Sequence, residues 1–141
     1  VQEWLVQMLP LKTKRTKKAL TPEKIVEADI LAMCAELGLD VSVVDSKMTY
    51  SAGLKKYVES ETESGFSDLC GNTPDGFGVF IELKAIGKIK TVTQKQKNFL
   101  IRKAEAGCFA CAVDRPEVLF RLYLDWKRDG RAALLSHLEQ L

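Results

Sequence analysis

The run from Cys108 to Asp114, "CFACAVD", limits the fold more than any other stretch of the chain. In a β-strand successive side chains point to opposite faces, so a run that is apolar at position after position needs a sheet covered on both sides. Directly ahead of it, "QKQKNFLIRKAEAG" has the apolar spacing of a helix and is closed by Gly107. Ahead of that again, "VFIELKA" (79–85) is a second extended run. Strand, helix, strand in that order is a crossover, which places the two strands parallel in one sheet with the helix on its face.

Upstream, "TPEKIVEADILAMCAELGL" opens with Thr21 as N-cap, Pro22 at the first helical position and Glu23 in the first turn, and ends at Gly38. Ile25, Ile30, Met33, Cys34 and Leu37 are its expected core residues. "LDVSVVD" (39–45) reads as a short strand, and the polar "SKMTYSAGLKKYVESETES" (46–64) as a loop with a marginal helix. "CGNTPDG" (70–76) carries turn signals and joins two β runs into a hairpin. The remainder is helical and split at Gly130.

These elements predict an α/β sandwich with a mixed central sheet flanked by helices. At 141 residues the chain reads as one domain: an N-terminal arm (1–19), a core (20–114) and C-terminal helices (115–141). No apolar run approaches the roughly 18 residues of a membrane span. The first residues lack the cleavage site of a secretory signal, and the expectation is a cytoplasmic protein with no membrane partner.

The four cysteines, Cys34, Cys70, Cys108 and Cys111, include one CxxC pair. That pair lies in a strand, where an offset of three puts the two side chains on opposite faces, so reduced core thiols are expected rather than a zinc site. The net charge of +2 conceals segregation. Residues 12–18 read "KTKRTKK", every charged residue from Lys84 to Lys103 is basic, and every one from Glu59 to Glu82 is acidic. Basic segments flanking an acidic one suit a protein that holds cations at its centre and a polyanion around them.

The acidic segment and the strand "VFIELKA" meet in an unusual way. Alternation sends Val79, Ile81 and Leu83 to one face and Phe80, Glu82 and Lys84 to the other, so an apolar strand carries a carboxylate and an ammonium on one side. Taken alone, the two could form a weak ion pair on an exposed edge strand. The hairpin can also bring Asp68 beside Glu82, and two adjacent carboxylates repel unless a cation lies between them. Oxygen donors without Cys or His favour Mg2+ or Mn2+, and magnesium usually fills its shell with water and phosphate oxygens.

Asp68 in "GFSD" and Glu82 and Lys84 in "ELK" resemble the pattern of the PD-(D/E)xK nuclease superfamily. Within it the chain is most similar to the small VRR-NUC nucleases, across residues 24–114. "IVEADILAMCAELGL" is similar to that group's first helix, with Glu27 at the acidic position. "GFSDL" resembles its G-x-P-D-L, with Ser67 where proline is usual, and "TQKQKNFLIRKAEAG" places Gln96 at its glutamine position.

The resemblance implies a restriction-endonuclease-like three-layer sandwich and a metal-dependent endonuclease. Asp68 and Glu82 would bind Mg2+ or Mn2+, with the main-chain carbonyl of Leu83 as a third ligand. Glu27 would reach the site from the first helix, Lys84 would orient the nucleophile, and Gln96 would position the site or touch the substrate backbone. Lys88, Lys90, Lys95 and Lys97 follow Lys84 closely and are expected to meet DNA phosphates. The group also implies a homodimer acting on branched DNA such as Holliday junctions; "VQEWLVQML" and the C-terminal helices, outside the resemblance, are the candidate dimer surfaces. Two other readings fit the same residues: a restriction-type or general nickase on this fold, and a non-catalytic DNA-binding module. Glu63 and Asp75 are expected to be loop residues.

Overall fold

A computed structural model describes residues 20–45, 49–51, 53, 56–58 and 63–141. The chain runs through α1 (Pro22–Leu37), β1 (Asp40–Val43), β2 (Thr49–Ser51), β3 (Lys56–Val58), β4 (Leu69–Asn72) and β5 (Gly78–Leu83). A 3-10 turn (Ile89–Thr91), α2 (Gln94–Glu105), β6 (Phe109–Val113), α3 (Pro116–Asp129) and α4 (Arg131–Glu139) follow.

β1, β4, β5 and β6 form one open mixed sheet in that order. β4 and β5 are the arms of an antiparallel hairpin, with Leu69 opposite Ile81. β5 and β6 are parallel, with Glu82 opposite Ala112, and α2 is the crossover between them. The architecture is α/β, with helices on both faces of the sheet. Phe109 meets Tyr123 and Trp126 of α3 on the face shared with Val79, while Phe80 meets Phe99 of α2 on the other. All five residues of β6 are buried, as the uninterrupted apolar run requires.

α1 begins as its sequence dictates. Thr21 Oγ1 accepts the Lys24 amide, and Pro22 occupies the first turn, where its missing N–H costs nothing. It ends at Gly38, whose φ of 76° is left-handed, so that the Leu39 amide can reach the Cys34 carbonyl. Its buried stripe is Val26, Ile30 and Cys34, an i, i+4, i+8 row. Ile25, expected in the core, is 45% exposed, because the row that includes Ile30 and Cys34 passes through its neighbour Val26.

The segment 46–64 also departs from expectation. In place of a loop with a marginal helix, its described residues include β2 and β3, paired antiparallel with Tyr50 opposite Tyr57. Aromatic and β-branched residues in "TYS" and "KYV" favour extended backbone even where no apolar alternation marks a strand. The N-terminal arm, with its basic run and "VQEWLVQML", lies outside the described residues. All four cysteines are free; Cys34 and Cys111 are buried, and burial raises both thiol pKa values, that of Cys34 to about 11. Among the described residues, no helix is long and apolar enough to cross a membrane.

Candidate active site

Strand register brings the carboxylates together. Because Leu69 opposes Ile81, Asp68 stands at the open end of the hairpin, opposite Glu82 and away from the "CGNTPDG" turn. Two backbone bonds fix it there: its carbonyl accepts the Val44 amide at 2.8 Å, and its Oδ2 accepts the Leu83 amide at 2.8 Å. The approach of the chain to Asp68 is equally constrained. Gly65 has φ 85° and passes so close to α2 that a Cβ would lie 2.8 Å from the Lys95 carbonyl, which accounts for glycine at the head of "GFSD". Ser67, in the place where the resemblance expects proline, is buried and closes this turn by donating to the Leu69 carbonyl at 2.8 Å.

Glu82 is only 2% exposed. Its Oε2 accepts Nε2 of Gln96 at 3.0 Å and lies 3.6 Å from Nζ of Lys84. Gln96 is held in turn by a capping box at the start of α2: its amide donates to Thr93 Oγ1, and its Oε1 accepts the Thr93 amide at 2.9 Å. The other oxygen, Glu82 Oε1, is buried with no hydrogen-bond partner. Burial, then the charge and hydrogen bonding of Asp68, push the Glu82 carboxyl up to about 8, against the opposing pull of Lys84. Two carboxylates bring no donor to each other, so Oε1 stays unsatisfied when both are ionised and gains a partner only from a shared proton or a cation.

Lys84 is fixed as firmly as the acids. Its amide donates to the Val113 carbonyl of β6 at 3.0 Å, and the turn after it is fastened where the Gly87 amide donates to Oδ2 of Asp114 at 2.9 Å. Asp114 is 7% exposed and also pairs with Arg115. In the sequence its one signal is a carboxylate ending an otherwise apolar strand.

Asp68 and Leu83 open onto a cleft of about 560 Å³ between the start of α1 and the end of β1, lined also by Glu27, Glu23, Lys24 and Asp45. Glu27 lines the same cleft as Asp68 and is engaged by Lys24 at 3.2 Å. Glu82 lies behind this wall rather than in it. Among the described residues no three His, Cys, Asp or Glu side chains form a metal cluster. The donor set that is present, two adjacent carboxylates with one orphaned buried oxygen, fits a hard divalent cation that completes its shell with water and phosphate.

Lys88, Lys90 and Lys95 are exposed and Lys97 is half-buried, so their ammonium groups are available to a polyanion. Glu63 and Asp75 are loop residues paired to Arg102 and Lys127, away from the carboxylate pair. Comparison with known proteins supplies no relative: no family model matches the chain, and no curated protein matches it.

Proposed function

We propose that the protein is a metal-dependent DNA endonuclease of restriction-endonuclease-like fold, similar to the VRR-NUC nucleases, acting on branched DNA as a homodimer. The observation that carries the reading is the convergence of Asp68, Glu82, Lys84 and Gln96 from three elements, at the cost of a buried carboxylate oxygen without a partner. A surface that needed only phosphate affinity would gain nothing from burying carboxylates that repel the backbone.

Asp68 and Glu82 would hold Mg2+ or Mn2+, with the Leu83 carbonyl and Glu27 as further donors, and the bound ion would lower the pKa of a water and offset charge on the scissile phosphate. Gln96 keeps Oε2 of Glu82 occupied, which leaves Oε1 for the cation. Lys84 presents a fixed ammonium beside Glu82, suited to orienting the attacking water and to balancing charge on a phosphate oxygen. Lys88, Lys90, Lys95 and Lys97 extend positive charge beyond Lys84 and would contact flanking phosphates rather than bases.

The test is a panel of labelled four-way junctions, flaps, nicked duplex and plasmid, incubated with Mg2+ and with Mn2+. Cleavage of branched substrates, lost in Asp68→Ala and Lys84→Ala, is expected. Discrete cuts in plasmid without branch preference would replace the junction reading with a restriction-type one, and binding without hydrolysis in any metal would replace it with a DNA-binding module.

A further inference from the structure

The cleft that would receive the substrate is mostly acidic. Glu23, Glu27, Asp45 and Asp68 line it, and among its described lining residues Lys24 is the one basic side chain. Lys84 contributes its charge beside Glu82 and is not part of that lining. Among those described lining residues, a phosphodiester entering along α1 therefore meets one cation.

Lys24 is placed there by two separate contacts. Its amide is fixed by the Thr21 N-cap at 3.2 Å, which sets where the side chain leaves the helix. Its ammonium lies 3.3 and 3.2 Å from the two oxygens of Glu27, which hold it against the cleft wall. The Lys24 side chain is 55% exposed, and an exposed i, i+3 ion pair contributes little to stability. Such a pair is exchanged at little cost for an ammonium–phosphate contact, which gains from release of a counterion held by the DNA.

We infer that Lys24 is a substrate-binding residue, whose ammonium passes from Glu27 to a phosphate oxygen of the strand lying in the cleft. The exchange would also free the Glu27 carboxylate to serve, with Asp68 and Glu82, as a donor to a divalent cation. This inference rests on the nuclease reading.

It is tested by the binding of fluorescent junction DNA to the full chain in Ca2+, measured between about 50 and about 200 mM salt. Lys24→Gln is expected to weaken binding roughly three- to tenfold at the low end and to reduce the slope of log affinity against log salt by about 1. Lys24→Arg keeps both values near wild type. Because Lys24 is exposed, these substitutions leave the core intact, and matched melting temperatures check this. A wild-type slope and affinity in Lys24→Gln overturn the assignment while leaving the nuclease reading in place. A wild-type protein that binds no DNA overturns both.

Discussion

Gln96 spans two structures with one amide: Nε2 donates to Oε2 of Glu82 at 3.0 Å, while Oε1 accepts the amide of Thr93 at 2.9 Å and closes the cap of α2. The same side chain therefore starts a helix and orients a buried carboxyl, and a substitution can separate the two tasks. Glu at this position preserves a capping box but removes the donor and sets a further carboxyl against Glu82. Gln96→Glu is expected to lower stability by about 1–3 kcal/mol through the unsatisfied buried carboxyls, and to cut kcat for DNA at least about tenfold. Urea unfolding and single-turnover cleavage on the same preparation check this. A loss confined to stability would mean that the Gln96 bond to Glu82 serves the fold and not cleavage.

The raised Glu82 pKa carries its own prediction. Burial and Asp68 lift the carboxyl from 4.5 to about 8, so between those values the folded protein binds more protons than the unfolded chain. The stability contributed by this proton is complete below the unfolded value and is lost as pH rises through the folded one. Glu82→Gln, which keeps shape and removes the charge, is expected to stabilise the metal-free protein above about pH 8 by roughly 1–3 kcal/mol while abolishing cleavage. Mn2+ is expected to raise the melting temperature of wild type and not of the variant. Melting curves with and without metal across pH supply the measurement; equal melting temperatures at every pH would contradict the burial argument.

Much of this was legible in the sequence because periodicity and caps are local signals. The run "CFACAV" announced a strand covered on both faces, and Thr21, Pro22 and Gly38 bracketed α1 where the structure has it. Alternation along "VFIELKA" separated Glu82 from the core face. Asp68 could be paired with Glu82 only through hairpin register, which the turn sequence suggested without fixing. What the sequence did not reveal depends on contacts between distant elements. Asp114 gains its meaning from Gly87, 27 residues away, and Lys24 from the cleft that α1 forms with β1 and β4. Ile25 and Val26 are both apolar neighbours on α1, and the i, i+4 row through Ile30 and Cys34 selects Val26 for the core. β2 and β3 are not legible in the sequence because neither shows an alternating apolar face.

His137 connects α4 to the open edge of the sheet and should make the fold sensitive to acid. β6 is an edge strand, and the Ala112 amide donates to Nε2 of His137 at 3.3 Å. Burial lowers the His137 pKa below its ordinary 6.5. A depressed histidine pKa stabilises the fold fully above the unfolded value, and the contribution is lost as pH falls from about 6.5 toward the folded value. Protonation removes the acceptor and leaves a charge in the core. His137→Gln, whose carbonyl can accept the same bond, is expected to flatten the dependence of stability on pH between about 7 and about 5. Urea midpoints over that range decide it; an unchanged slope would mean that another group governs the acid limb.

Asp114 offers the sharpest separation of positioning from chemistry. It lies at the end of β6, behind Lys84, and holds the turn after Lys84 by accepting the Gly87 amide at 2.9 Å. Lys84 itself is tied to the same strand end through the Val113 carbonyl. Asp114→Ala cuts the outer of these two ties and is expected to cost about 1–2 kcal/mol of stability, with kcat falling about tenfold as the Lys84 ammonium loses its fixed position. Asp114→Asn keeps a carbonyl oxygen for the Gly87 amide, so it should retain most activity despite losing the charge and its pairing with Arg115. The two variants together distinguish acceptor from charge: if Asn fails as badly as Ala, the negative charge acts on the site directly; if neither changes kcat, Val113 alone positions Lys84.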